Sequence, residues 1–147
     1  MPSGKTSNLQ LRFHHVGIVV KDIERAAAYY AQKFGYEVRS AVIHDPLQTA
    51  RVQFLGFPGE NVYLEFVSPE GPDSFLELAL KKGGGLNHIC YSTADIESAC
   101  QQLRGEGLFL VRAPTQAAAF NRRKIAWLMD KQGSLIELVE RGPENEL

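Results

Sequence analysis

Residues Phe13 to Tyr30, FHHVGIVVKDIERAAAYY, align without a gap to Leu86 to Leu103, LNHICYSTADIESACQQL, 73 residues further on. The alignment places His15 on His88, Asp22 on Asp95, Ile23 on Ile96, Glu24 on Glu97 and Ala26 on Ala99. At an offset of 72, VYLEFV (Val62 to Val67) falls on SLIELV (Ser134 to Val139), which sets Glu65 on Glu137. Two similar blocks in the same order in both halves mark an internal duplication, so the chain reads as two copies of one module.

Each copy opens as a strand. Val16, Ile18 and Val20 form one apolar face, with His15, Gly17 and Val19 on the other; Ile89, Tyr91 and Thr93 likewise oppose His88, Cys90 and Ser92. Asp22 and Asp95 stand where a helix N-cap belongs. Behind them Ile23, Ala26, Ala27, Tyr30 and Phe34 recur at helical spacing, as do Ile96, Ala99, Cys100 and Leu103. This predicts helices over Asp22–Phe34 and Asp95–Arg104, ended by Gly35 and Gly107. Strands are expected over Glu37–Ile43, Arg51–Phe57 and Asn61–Ser68, then over Leu108–Ala113, Lys124–Met129 and Ser134–Glu140. The fold class is therefore α+β: two βαβββ modules, about 12–68 and 86–140, forming an open eight-stranded cup-shaped barrel with the helices outside. Residues 69–85 read as a linker with a short helix capped by Asp73 and three flexible glycines; 1–11 and 141–147 read as tails.

Composition narrows the function classes. The 147 residues carry 16 Lys and Arg against 17 Asp and Glu, a formal net charge of −1, which disfavours a nucleic-acid partner. No apolar run approaches the ~20 residues needed to cross a bilayer, and the opening MPSGKTSNLQ lacks the apolar stretch of a secretory signal. The two cysteines, Cys90 and Cys100, make no disulfide framework. The expectation is a cytoplasmic protein with a small-molecule substrate, and neither nucleic acid nor membrane as partner.

Four polar side chains stand out. Val62, Leu64 and Phe66 are the apolar set of their strand, so Tyr63, Glu65 and Val67 point the other way. Ile136 and Leu138 are core, so Glu137 lies on the other face with Leu135 and Val139. A carboxylate embedded in an apolar strand is costly unless it is paired, hydrogen-bonded or metal-bound. His15 and His88 hold equivalent places in the first strands. By repeat symmetry, two His and two Glu come around one point if the modules are related by a pseudo-twofold. Imidazole nitrogens with carboxylate oxygens suit one divalent ion such as Zn, Co, Ni, Mn or Fe(II), and four protein ligands leave positions for water or a bidentate substrate. A lone strand histidine is more often structural; the recurrence of both residue types in register separates these four from His14 and His44, which have no repeat partner and read as structural or solvent-facing. Cys90 reads as a small buried thiol, with no basic partner to activate it.

HHVGIVVKDIERAAAYYAQKFGYEV, VYLEFVSPEGPDS, the GGGLNHICY strand and GSLIELVE together resemble the vicinal oxygen chelate superfamily, the group of glyoxalases, epimerases and extradiol dioxygenases, over about residues 12–140. Within it the chain is most similar to the methylmalonyl-CoA epimerases. The resemblance implies metal ligands at His15, Glu65, His88 and Glu137; an acid–base carboxylate would have to be Glu65 or Glu137, or be absent. It implies a lyase or isomerase that chelates an oxo-acid, thioester or hemithioacetal, abstracts a proton beside the carbonyl and passes through an enediolate, and it implies a homodimer. The position of Glu65 is Gln in some epimerases and Glu in glyoxalase I-like lyases. Some epimerases carry a catalytic glutamate where this chain has Gln53, which is expected to face the cavity because Val52 and Phe54 read as core; an amide cannot serve as base. Arg122, Arg123 and Lys124 are candidates to meet an anionic substrate group, or else form a solvated charge run. The alternatives are a glyoxalase I-like lactoylglutathione lyase and a non-catalytic antibiotic-binding member, which often lacks the ligands present here. An extradiol dioxygenase is disfavoured by the fourth ligand and the short chain.

Overall fold

The computed structural model describes residues 9–143 and 147; the rest of the two expected tails, residues 1–8 and 144–146, lies outside the described residues. The chain divides into two compact units, one formed by His15–Asn87 and the other by His88–Leu147 with the chain before His15. Both have the βαβββ plan, and the fold class is α+β.

In the unit of residues 15–87, β1 (Arg12–Val19) leads into α1 (Ile23–Phe34), followed by β2 (Glu37–Val38), β3 (Ile43–Asp45), β4 (Ala50–Gly56) and β5 (Tyr63–Pro69). The strand order is β2–β4–β5–β1, with β3 also on β4. β1 and β5 run parallel, with Gly17 opposite Glu65, and β4 and β5 antiparallel, with Phe54 opposite Glu65. α1 starts where the sequence places it, because Asp22 accepts a hydrogen bond from the Arg25 N–H at 3.0 Å, a cap worth about 1 kcal/mol. It ends at Gly35, whose φ of 83° is the left-handed conformation that favours glycine. Ile23 and Ala27 pack on Leu55, Leu64 and Phe66, each large side chain so buried contributing about 1.5–3 kcal/mol.

The expected strand 37–43 is broken in two, giving nine strands among the described residues rather than eight. Ser40 is the cause. Its hydroxyl oxygen accepts from the Phe54 N–H at 3.0 Å, and its carbonyl accepts from Gln53 Nε2 at 3.0 Å, in place of continuous ladder bonds.

The other unit repeats the plan with β6 (Gly85–Thr93), α3 (Ile96–Gly105), β7 (Phe109–Gln116), β8 (Lys124–Met129) and β9 (Leu135–Glu140), in the order β6–β9–β8–β7. β6 and β9 are parallel with Cys90 opposite Glu137, and β8 and β9 antiparallel with Trp127 opposite Glu137. Asp95 caps α3 through the Ser98 N–H at 3.1 Å. Ile96, Ala99 and Cys100 pack on Ala126, Leu128 and Leu138, and Leu9 is buried in the same cluster. Burial pushes the Cys100 thiol up, away from thiolate reactivity.

α1 and α3 are each also tied by the first turn to a strand of their own unit. Glu24 Oε1 lies 2.6 Å from Arg51 Nη2 and Glu97 Oε1 2.7 Å from Lys124 Nζ, residues that the 73-residue offset equates.

Between β5 and β6 a short helix, α2 (Glu77–Lys81), forms as expected, but Asp73 does not cap it. Ser74 turns the chain instead, its hydroxyl oxygen accepting from the Leu76 N–H at 3.2 Å and its carbonyl from the Glu77 N–H at 3.2 Å. Gly84 then passes so close to the end of β1 that a Cβ would lie 2.6 Å from the Val19 carbonyl oxygen. With a φ of +71° besides, only glycine fits there. Among the described residues no helix is long and apolar enough to cross a membrane.

Candidate active site

In the first unit, β1 and β5 bring His15 and Glu65 together, with His15 Nε2 3.3 Å from Glu65 Oε1 and both side chains buried. In the second, β6 and β9 do the same for His88 and Glu137, with Nε2 3.2 Å from Oε1 and both again buried. The position opposite each carboxylate on the neighbouring strand is small, Gly17 in one unit and Cys90 in the other. The imidazole two residues earlier therefore has room to lean diagonally onto the carboxylate. Placing a carboxylate at such a position costs several kcal/mol unless a partner compensates it, and in both units the histidine that the repeat predicts lies within ion-pair distance of it.

Each pair has an aromatic wall that the sequence reading missed. Phe54 stands opposite Glu65 and sets its ring edge-on to His15, with centroids 5.4 Å apart at 75°. Trp127 stands opposite Glu137 and meets His88 at 4.8 Å and 89°. The two aromatics are 73 residues apart, so the offset that equates the histidines also equates them. The walls differ in cover: Phe54 is fully buried and Trp127 half-buried.

Gln53 requires a correction. It pairs with Phe66, and Phe54 with Glu65, and directly paired residues share a sheet face. Gln53 therefore lies with Arg51, Leu55 and Phe66 on the side of α1, while Val52 and Phe54 lie on the side of His15 and Glu65. Its amide donates to the Ser40 carbonyl. The expected orientation is reversed because β4 is covered on both faces: Phe54 and Leu55 are both fully buried, so apolar alternation carries no face information.

In the segment 122–124, two of the three side chains are tied within their own unit. Arg122 occupies a left-handed turn position with a φ of 69° and is exposed. The Arg123 guanidinium donates to the carbonyls of Phe120 at 3.1 Å, Glu140 at 2.9 Å and Leu147. Lys124 is held by Glu97, whose hydrogen bond holds the lysine above its ordinary value, while the lysine holds the Glu97 carboxyl below its own. Arg123 and Lys124 thus brace their own unit. His14 is buried edge-on to Phe120 at 5.5 Å, and exposed His44 Nδ1 meets Glu70 at 2.6 Å. Cys90 is fully buried.

Two buried imidazole–carboxylate pairs on parallel strands of duplicated βαβββ units define a superfamily, and comparison agrees. Residues 14–141 match the family model of the glyoxalase/bleomycin resistance protein/dioxygenase superfamily, and the chain belongs to it. It is 33% identical over 131 residues to the ethylmalonyl-CoA/methylmalonyl-CoA epimerase of Cereibacter sphaeroides, an alignment covering 86% of this chain and 96% of that one. Streptomyces coelicolor methylmalonyl-CoA epimerase, solved in complex with 2-nitronate-propionyl-CoA, superposes with a TM-score of 0.78 at 26% identity, covering 90% of this chain and 98% of that one. The lactoylglutathione lyase of Arabidopsis thaliana is 30% identical over 92% of this chain, which spans about half (46%) of that protein.

Proposed function

We propose that the chain is a metal-dependent epimerase that moves the proton beside the carbonyl of an acyl-CoA thioester of the methylmalonyl type. The observation that carries this reading is the buried His–Glu pair repeated in both units, at 3.3 Å and 3.2 Å. The epimerase relatives support the substrate class.

The residues fit a divalent ion. Each unit supplies one imidazole nitrogen and one carboxylate oxygen from rigid strands, a donor set suited to Zn, Co, Ni or Mn. His15, Glu65, His88 and Glu137 would hold one such ion. When bound, it would supply Lewis acidity to the thioester carbonyl and so acidify the neighbouring C–H.

The chain's own part is proton transfer and exclusion of water. Glu65 or Glu137 takes the proton from the α-carbon, and the same group or its counterpart returns it to either face of the planar carbanion. The lean of each histidine on its carboxylate fixes the oxygen that faces the substrate, and Phe54 and Trp127 shield the pairs from bulk water. Gln53 has no part, since it lies on the other face of β4. The assembly is a homodimer, checked by light scattering at micromolar concentration.

Wash-in of deuterium from heavy water into methylmalonyl-CoA tests this reading. The metal-reconstituted protein is expected to exchange the α-proton, and Glu65→Gln or Glu137→Gln to lower the rate about 10²–10⁴-fold. Absence of exchange with every divalent ion tried would overturn the epimerase reading. A glyoxalase I-like lyase is the second reading, favoured by glutamate rather than glutamine at position 65 and by the similarity to lactoylglutathione lyase. Turnover of a glutathione hemithioacetal without exchange into the thioester would select it.

A further inference from the structure

Arg39 follows directly on β2 and continues its register. Glu37 pairs with Gly56 and Val38 with Leu55, and the Arg39 N–H donates to the Phe54 carbonyl at 2.8 Å. The next rung therefore sets Arg39 opposite Phe54, and Phe54 stands opposite Glu65. Paired residues share a sheet face, so Arg39, Phe54 and Glu65 form one row. Two strand spacings, about 10 Å, separate the Cα atoms of Arg39 and Glu65. In the neighbouring row Tyr63 pairs with His15, and the Arg39 guanidinium carbon sits 5.9 Å from the centre of the Tyr63 ring. Gly56 permits this approach, because a Cβ there would come within 3.3 Å of Tyr63 Cδ1 and 3.6 Å of Arg39 Cγ.

The guanidinium is held in place with donors to spare. Nη2 donates to the Phe57 carbonyl. Nε lies 3.9 Å from Glu37 Oε1, beyond hydrogen-bond reach of a carboxylate that is itself exposed. Among the described residues nothing accepts from Nη1, and the side chain keeps 25% of its surface open. We propose that Arg39 is the anion-binding residue of the first unit's reacting face: Nη1 donates to a carboxylate or phosphate oxygen of the ligand whose reacting carbon lies at Glu65. The proposal rests on the functional reading above for the position of that carbon. A guanidinium already fixed over an aromatic ring loses less freedom on binding than a solvated lysine would, and its planar donors suit an oxyanion. An acyl-CoA thioester of the methylmalonyl type carries both anions, a carboxylate on the acyl group and phosphates on the carrier.

Calorimetric titration of the full-length, metal-loaded protein with three thioesters tests this. They are methylmalonyl-CoA, propionyl-CoA, which lacks the acyl carboxylate, and S-methylmalonyl-pantetheine, which lacks the phosphates. Arg39→Met keeps the apolar stem and is expected to weaken methylmalonyl-CoA binding at least tenfold. Arg39→Lys should weaken it less, and Arg25→Met, at an exposed position of α1, should leave it unchanged. A cooperative urea transition confirms the fold of each variant. The loss in Arg39→Met should vanish with one truncated thioester: with propionyl-CoA when the acyl carboxylate is the group bound, with the pantetheine thioester when a carrier phosphate is. In turnover, the KM of Arg39→Met for methylmalonyl-CoA should rise at least tenfold while kcat stays within about threefold. Unchanged affinity in a folded Arg39→Met protein, or a loss that persists with both truncated thioesters, overturns the proposal. If no thioester binds or turns over in wild type, the functional reading fails separately. The Arg39 Nε–H NMR signal, assigned by its absence in Arg39→Met, is then titrated with acetate and with sulfate. A saturable shift with either upholds the anion site, and no shift with both overturns it.

Discussion

Phe54 stands directly opposite Glu65 across the β4–β5 ladder and turns its ring edge to His15, 5.4 Å away. That pairing places Gln53 on the helix side of β4, where its amide holds the Ser40 carbonyl. Gln53→Glu therefore adds no proton carrier, and deuterium exchange is expected to stay within about threefold of wild type. The substitution sets a carboxylate against a carbonyl in a buried position, so the urea midpoint should fall by the equivalent of about 1–3 kcal/mol. A gain in exchange rate of tenfold or more would place position 53 at the reacting face after all.

Gly84 is a second point at which one atom decides. An added Cβ meets the Val19 carbonyl at 2.6 Å, whereas one at Gly83 meets open space. Gly84→Ala should destabilise by about 1–3 kcal/mol, and by more than Gly83→Ala, where only the positive φ opposes the side chain. Equal urea midpoints for the two variants would show that β1 yields at no cost.

The helix-to-strand ion pairs set a pH dependence. Glu24 is held below its ordinary value of 4.5 by its own backbone N–H and by Arg51, and Glu97 by Lys124. A carboxyl depressed in the folded state stabilises at pH above the unfolded value, and that contribution is lost as pH falls through the folded value. Both acids are solvent-exposed, so the effect is small and screened by salt. Wild type and Glu97→Gln should differ in urea midpoint near neutrality and converge as the pH drops to about 3. A difference that stays constant across that range would show that the pair contributes nothing.

The duplication made most of this molecule legible. Repeat offsets of 73 and 72 residues placed the histidines and the glutamates, and the aspartates that open α1 and α3 were readable because N-capping is local chemistry. Gln53 was misread because periodicity assigns faces only where one face is wet, and β4 is dry on both. Ser40 breaks its strand through side-chain bonds to a distant strand, which no local pattern encodes. The aromatics at 54 and 127 lay within reach of the same offset, as a ring repeated on the strand beside each carboxylate.

We propose that His15, Glu65, His88 and Glu137 hold one divalent ion, which is tested by metal stoichiometry after reconstitution and gel filtration. One divalent ion per chain is expected in wild type, with occupancy lost in both His15→Ala and His88→Ala. Circular dichroism, with His15→Asn and His88→Asn in parallel, separates lost ligation from lost fold. Two ions per chain, or full occupancy in a folded His88→Ala protein, would contradict it.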